Sequence, residues 1–342
     1  MKKSLITLAI AAAVAAPMTV SAAESKFFGY SQITAQYGDG KAGDADNEGL
    51  VFAADRIRLG YKVKHDKVWG KLQVDFNKPS PGKSTNGQDG TGLNEIIKDA
   101  VFGYKFSNAA NVSAGVFKTP VGMDFNTSGK KLDITKRGME KKLVLERAPG
   151  LMISGRNISG FGYDLGIFNP TQRSSAVNFG TPGDASAYAG RVMYDMGKTL
   201  HIEASYGVSG QDSASNAEDY SVMDVAASYK WNALTLKGEY IAGSNVKGVK
   251  GNDETVWYLH AGYALDKVNE LVIRHYNANS TTDAGYDESL GNTYLGYTAR
   301  LAGNNARIQL NYVLASGDKD TYTGVTSQYT DDVFLAQFQV GF

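Results

Sequence analysis

Basic side chains recur at every second position in one segment of the chain, and this spacing makes them candidates for binding anions. The basic members are Arg56, Arg58, Lys62 and Lys64, and the apolar members between them are Ile57, Leu59, Tyr61 and Val63. Successive side chains of a β-strand point to opposite faces, so such a strand has one cationic face and one apolar face. Arginine suits oxyanions particularly well, because its guanidinium offers paired donors and stays charged.

Covalent and metal chemistry find little support in the sequence. Cysteine is absent, which excludes disulfides, thiolate metal sites and cysteine nucleophiles. The chain has four histidines, His65, His201, His260 and His275. His275 shares its strand parity with apolar Leu271 and Ile273, and no Ser/His/Asp constellation stands out around the others. We therefore predict no enzymatic activity, no cofactor and no metal site.

The same period of two continues along most of the chain and predicts sixteen strands. Their approximate ranges are 27–37, 51–64, 67–77, 95–106, 111–118, 150–156, 161–168, 186–194, 199–209, 219–230, 234–243, 254–265, 268–277, 291–301, 306–315 and 332–342. The connections alternate between long and short, which is typical of a barrel whose two ends face different compartments. Trp69 and other aromatic residues near strand ends are candidates for interfacial girdles, with core packing as the alternative.

One face of each strand is apolar, and this predicts contact with lipid rather than with a soluble core. The mean hydropathy of −0.29 rules out a bundle of membrane helices but is compatible with strands in which every second residue is apolar. A cation on the lipid face near the bilayer midplane would cost about 2–4 kcal/mol, so the basic residues of the second strand should face the lumen. We predict an all-β fold, a 16-stranded antiparallel transmembrane β-barrel.

The amino terminus has the three parts of a secretory signal. Two lysines follow Met1, an apolar run extends from Leu5 to Ala16, and small residues end at Ala22. We predict that residues 1–22 are removed and that 23–342 form one outer-membrane domain of 342 − 22 = 320 residues. The last predicted strand alternates apolar residues up to Phe342 and should pair with the first, which leaves both termini in the periplasm.

Charge is distributed unevenly, although the chain as a whole is neutral. Residues 24–160 carry 21 basic and 15 acidic residues, whereas residues 161–342 carry 12 and 20. The connection 119–149 is the longest and is rich in lysine and arginine, so we expect this third long loop to fold into the lumen; a solvated surface loop is the alternative. Eight basic residues are candidates for lining the pore and binding anions: Arg56, Arg58, Lys62, Lys71, Lys118, Lys130, Lys131 and Arg156. Acidic residues inside the barrel, Asp75 and Asp99 among them, would weaken this preference.

Four segments resemble a known family. They are DRIRLGY (55–61), GKLQVDF (70–76), KDAVFGYK (98–105) and GVFKTPVG (115–122). The first three resemble early strands of the phosphate-selective porin O and P family, and the fourth resembles that family's entry into the third extracellular loop. The likeness is best over roughly 50–160. It implies a homotrimer of 16-stranded barrels that passes small anions.

The expected function is therefore passive diffusion of small hydrophilic solutes and ions across the outer membrane, with a preference for anions such as phosphate. The expected partners are these solutes, outer-membrane lipid and lipopolysaccharide. A non-selective or cation-preferring porin is the main alternative, and a structural or adhesive barrel is a further one. Nucleic-acid binding has no contiguous basic face or known module to support it.

Overall fold

The alternation of residue types along the chain becomes an alternation of buried and exposed side chains. A computed structural model describes residues 23–38, 49–77, 96–171, 183–212, 217–281 and 287–342, and its regular structure is almost entirely β-strand. Within these ranges, no helix is both long and apolar enough to cross a membrane. The predicted signal segment 1–22 lies outside the described residues.

Sixteen of seventeen strands close into one antiparallel barrel, which confirms the predicted fold class. The first eight are β1 (Glu24–Tyr37), β2 (Leu50–His65), β3 (Val68–Asp75), β4 (Ile97–Lys105), β5 (Asn111–Lys118), β6 (Arg147–Ile158), β7 (Phe161–Phe168) and β8 (Ala187–Met196). The others are β9 (Leu200–Ser209), β10 (Tyr220–Trp231), β11 (Leu234–Ser244), β12 (Asp253–Ala264), β13 (Asn269–Thr281), β14 (Asp287–Ala299), β15 (Leu301–Asn304), β16 (Ala306–Gly317) and β17 (Val333–Gly341). The four-residue β15 lies before β16 and outside the closed ladder.

Closure depends on β1, which is hydrogen-bonded on both sides. Tyr30 of β1 lies opposite Arg58 of β2 on one side and opposite Gly341 of β17 on the other. The first and last strands of the ladder therefore satisfy each other's backbone hydrogen-bonding groups. Within the closed ladder, no strand edge presents unpaired amide groups to lipid.

The two faces of the wall differ sharply in polarity, as β13 illustrates. Leu271 and Ile273 are 48% and 49% exposed, whereas Arg274 beside them is fully buried. The outward residues belong to the apolar surface of the barrel. The inward ones include polar groups that bond to one another or to a loop inside the barrel, together with buried apolar side chains such as Val272.

The connections differ in length at the two ends of the barrel. We call the end with the β2–β3 connection, 66–67, the short-turn end and the opposite end the long-loop end. One predicted long connection, 278–290, proves to be mostly strand, because β13 runs to Thr281 and β14 begins at Asp287. The polar residues Asn279 and Thr281 occupy its outward face on β13, so alternation of apolar residues could not reveal it.

A β-bulge interrupts the pairing of β1 with β2. The register shifts between Gln32 and Ile33, which lie opposite Arg56 and Ala54. Asp55 is the extra residue, and its carboxylate bonds to inward-facing Gln337 at 2.8 Å. Arg56 faces the lumen as alternation predicts, and the bulge turns Asp55 to the same side, which strict alternation did not predict.

A tight approach of β6 to β7 gives a test of the packing. A Cβ at Gly150 would lie 2.4 Å from the carbonyl oxygen of Ile167 and 3.0 Å from Cα of Phe168. Gly150→Ala should therefore destabilise the barrel by about 1–3 kcal/mol, because backbone must move. The measurement is the urea midpoint of the refolded protein in detergent. Gly49→Ala is the control, since nothing lies within 4 Å of its added methyl group, and equal midpoints for both variants would contradict this account.

Candidate functional site: a cationic passage beside the third loop

The connection between β5 and β6, residues 119–146, makes contact with strands on several sides of the barrel interior. The amide of Gly122 donates to Ser205 Oγ at 3.3 Å and that of Asp124 to Glu239 Oε2 at 3.0 Å. Further along, the amide of Thr135 donates to Asn311 Oδ1 at 2.9 Å. We call residues 119–146 the inner loop, because these partners are inward-facing side chains of β9, β11 and β16.

A buried arginine anchors the inner loop to β13. Arg274 lies 3.1 Å from Asp124 Oδ2 and 3.1 Å from Asp133 Oδ2 through its two terminal nitrogens. The same guanidinium donates to the Tyr276 hydroxyl at 2.8 Å and lies 4.3 Å from the ring centroid of Tyr258. A guanidinium removed from water requires such partners. The buried position of Arg274 and the position of the loop carboxylates therefore stabilise each other.

Glutamine side chains hold the middle of the inner loop. Gln32 Nε2 donates to the carbonyl of Gly129 at 3.0 Å, and Gln339 Nε2 donates to that of Lys130 at 3.2 Å. Gln309 Nε2 reaches the carbonyl of Asp133 at 3.1 Å. Because these amides come from β1, β17 and β16, the loop is fixed on that side by neutral hydrogen bonds.

Burial changes the acidity of two inner-loop groups. Burial, assisted by the negative charge of Asp124, raises the pKa of the Glu140 carboxyl to about 7. Burial and the neighbouring Arg56 lower the pKa of Arg137 to about 10. The inner loop therefore has fewer full negative charges at neutral pH than its sequence indicates.

A cavity of about 460 Å³ lies between the inner loop and β1–β6. Its basic lining residues are Arg58, Lys62, Lys71, Lys118, Lys130 and Arg147. Among the described residues that line it, Asp99 is the one carboxylate. We call this cavity the cationic passage, and its charge makes it a candidate path for anions.

Acidic groups neutralise some of these cations and leave others unpaired. Arg58 lies 2.7 Å from Asp75, and Asp99 is shared by Lys71 and by Arg147, the latter at 3.1 Å. Within the described part of the chain, Lys62 and Lys130 have no carboxylate partner. These two ammonium groups are therefore available to a passing anion.

Three lysines stand side by side towards the short-turn end. Lys62 lies directly opposite Lys26 of β1 and Lys71 of β3 in the strand register. Like charges in directly opposite positions repel each other, and an anion or counterions would relieve this repulsion. A second cavity of about 410 Å³, lined by all three lysines and by Lys64, adjoins the row.

The structure brings five of the eight predicted residues to the cationic passage: Arg58, Lys62, Lys71, Lys118 and Lys130. Lys118 donates to the carbonyl oxygens of Phe125 and of Thr127, the latter at 3.1 Å, and so holds the start of the inner loop. Arg56 lies outside this lining and donates to Gln32 at 2.5 Å.

The remaining two predicted residues lie elsewhere. Lys131 is exposed on the inner loop and is not part of the passage lining. Arg156 Nη2 lies 2.7 and 2.9 Å from the two carboxylate oxygens of Asp164 near the β6–β7 turn, and Nη1 donates to the Tyr163 carbonyl at 2.7 Å. This pairing satisfies the guanidinium locally and separates it from the passage.

Sequence reasoning missed several residues that matter in this region. Lys26 carried no signal, because the first strand has no other cation on the inward face. Trp69 was a candidate for the interfacial girdle, but it lines the cationic passage. Its parity with Lys71 and Gln73 could have indicated the inward direction.

A third cavity, of about 420 Å³, lies on the other side of the helical turn Met123–Asn126. Its charged lining is mixed and consists of Asp124, Arg191, His201, Glu203 and Lys237. The inner loop thus separates a cationic compartment from one in which acidic and basic groups alternate. No group of three or more metal-ligating side chains occurs in the described ranges.

The anchoring role of Arg274 can be tested by replacing it with methionine, which keeps much of the volume. Arg274→Met leaves Asp124 without its cation, and breaking a buried pair in this way costs about 3–5 kcal/mol. We expect a lower urea midpoint and a broader distribution of single-channel conductance, because the inner loop loses its attachment to β13. Lys250→Met is the control, since its ion pair with Glu218 is largely exposed. Unchanged stability and conductance in Arg274→Met would show that the loop is held by other contacts.

Several solved structures have a similar fold. An anion-selective porin from Comamonas acidovorans superposes with a TM-score of 0.71 at 15% identity, covering 94% of this chain and 100% of that one. OmpF of Salmonella typhi, in complex with daunomycin, gives 0.67 at 14% identity, covering 94% and 98%. OmpT of Vibrio cholerae in its trimer form gives 0.64 at 14%, covering 94% and 100%. At these identities the likeness is one of fold.

The sequence itself matches a family model. No curated protein matches the chain significantly. The model described as phosphate-selective porin O and P matches residues 29–268, which is more than half of the chain and confirms the resemblance seen in the sequence. The chain therefore belongs to the phosphate-selective porin O and P family and is an outer-membrane porin with a closed 16-stranded barrel.

Proposed function

We propose that this porin lets small hydrophilic solutes diffuse passively and prefers anions, with the cationic passage as the selective region. The observation that carries the proposal is the composition of its lining, in which six basic residues face one carboxylate. The inner loop contributes Lys130 to this lining and forms the constriction beside the cations of the strands.

The size of the preference follows from simple electrostatics. A cation about 4 Å from an anion contributes roughly 1 kcal/mol in a water-like medium and more beside a wall of low dielectric constant. At physiological salt the screening length is about 8 Å, so an ion within that distance of an unpaired ammonium group is only partly screened from its charge. A free-energy difference of about 1.4 kcal/mol between anion and cation corresponds to a factor of ten, so we expect an anion-to-cation permeability ratio of about ten.

Phosphate is a reasonable permeant, and two features support it. The family is described as phosphate-selective, and the passage combines an arginine, Arg58, with lysines that can follow a tetrahedral oxyanion. The shared carboxylate Asp99 offsets part of the attraction, so that an ion can leave again.

Charge reversal at unpaired lysines tests the anion preference. We expect Lys62→Glu/Lys130→Glu to lower the anion-to-cation permeability ratio by about tenfold, because both groups act on a passing ion without a carboxylate partner. The measurement is the zero-current potential of planar bilayers under a KCl gradient. Lys131→Glu is the matched control: it changes the charge of the same loop outside the passage.

Two results would overturn the proposal. A cation-selective parent would indicate a general or cation-preferring porin. A parent that neither conducts nor lets liposomes swell would indicate a structural or adhesive barrel.

We further propose that the long-loop end faces the outside and that both termini lie in the periplasm. Since the chain contains no cysteine, single cysteines give an unambiguous readout. Cysteine at Lys250, in the β11–β12 connection, should react with a membrane-impermeant maleimide on intact cells. Cysteine at Asn232, in the β10–β11 turn, should react only after the cells are opened, and the reverse pattern would invert the orientation.

A homotrimer bound to outer-membrane lipid and lipopolysaccharide completes the proposal. Membership of the porin O and P family and the trimeric form of a structurally similar porin support the oligomer. The removal of residues 1–22 on export fits the same location.

A further inference from the structure

We infer that the cationic passage favours organic anions that carry a flat apolar body, such as aromatic carboxylates, over compact anions of equal charge. This inference rests on the proposed anion preference and specifies its substrate class. The observation behind it is that the cations of the passage stand beside aromatic and aliphatic side chains that face the same space. The apolar lining residues are Phe28, Tyr30, Trp69, Val101, Phe117 and Met152.

Trp69 presents an apolar surface to the passage. Its indole Nε1 donates to Asn111 Oδ1 at 2.7 Å, so the polar edge of the ring is already satisfied by β5. A Cβ at Gly103 would lie 2.5 Å from Trp69 Cε2, which shows that one side of the ring rests on the backbone of β4. The half-buried ring is held in place by these two contacts, and what remains accessible is carbon.

Cations and rings are paired along β1 and β2. Lys62 Nζ lies 5.2 Å from the ring centroid of Phe28, and Arg58 Cζ lies 5.7 Å from that of Tyr30. Arg58 also donates to the Tyr30 hydroxyl at 3.0 Å. An anionic head at Lys62 therefore comes within reach of ring carbon on the same strand pair.

The dimensions suit a molecule larger than a simple oxyanion. The passage has a volume of about 460 Å³, which is in the range of sites that hold small organic ligands. Met152 of β6 lines the same cavity and is half-buried. Tyr30, Val101 and Phe117 are buried in the wall, whereas Phe28 and Trp69, like Met152, keep part of their surface accessible. This accessible apolar surface gains free energy when an apolar body covers it, and inorganic phosphate or chloride cannot provide that contact.

Two monocarboxylates distinguish the contribution of the charge from that of the apolar body. Benzoate and acetate have the same charge, and each can be titrated against the chloride current of single pores in a planar bilayer. We expect benzoate to halve the current at a concentration about tenfold lower than acetate, the ratio that corresponds to about 1.4 kcal/mol. Phenyl phosphate compared with inorganic phosphate repeats the test with the other oxyanion head.

Substitution of Trp69 locates the effect. Trp69→Gln should bring the benzoate and acetate concentrations to within about twofold of each other. Trp257→Leu is the matched control, because Trp257 stands on the outward face beside Leu259 and should leave the ratio unchanged.

If Trp69→Gln fails to fold, a fluorescence measurement replaces it. In the double variant Trp231→Phe/Trp257→Phe, Trp69 is the last of the three tryptophans. We expect 4-nitrobenzoate to quench its fluorescence at a lower concentration than free nitromethane.

The failures of the two proposals are distinguishable in the same bilayers. An anion-selective parent that responds equally to benzoate and acetate would overturn this inference and leave the anion preference intact. A cation-selective parent would overturn the proposed function itself. A ratio that persists in Trp69→Gln, or a Trp69 that 4-nitrobenzoate does not quench, would contradict the aromatic wall.

Discussion

The burial of Arg274 is the constraint on which the interior arrangement depends. A guanidinium inside the barrel wall, without contact with water, must meet anionic and hydrogen-bonding partners, and it finds them in Asp124 and Asp133 of the inner loop and in Tyr276. If the loop moved away, Arg274 would lose both carboxylates, and Asp124 and Asp133 would lose their contact with Arg274. The side of the lumen near β12 and β13 is consequently filled. The cationic passage lies beside β1–β6, and the third cavity lies beside β8–β11.

That division also sorts the charges. The amino-terminal part of the chain, which is rich in basic residues, builds the wall of the cationic passage. The carboxyl-terminal part holds the carboxylates of the inner loop through Arg274 and Lys237. Asp75 and Asp99 brace Arg58, Lys71 and Arg147, so these cations keep defined positions. Unpaired lysines lie among braced ones, and the proposed anion preference requires such an arrangement, because a conducting site must attract an ion without trapping it.

Aromatic rings in the passage link selectivity to packing. Trp69 is held by Asn111 and by the backbone at Gly103, and Phe28 lies near Lys62. The charged and apolar parts of the wall are thus rigid neighbours, which is what recognition of an anion with an apolar body requires. The same rings would contribute little if they stood on the lipid side, where the sequence alone made Trp69 a candidate.

The sequence by itself determined the barrel, the number of strands and the inward direction of Arg58 and Lys62, because a period of two against lipid leaves each residue one of two faces. It also indicated the family through segments within 55–122. Tertiary structure alone decided which cations meet. Arg156 is satisfied by Asp164, Lys118 by loop carbonyls, and Asp55 turns inward at a bulge. These outcomes depend on cross-strand register and on the path of the inner loop, and residues far apart in the chain set both, so local alternation carries no information about them.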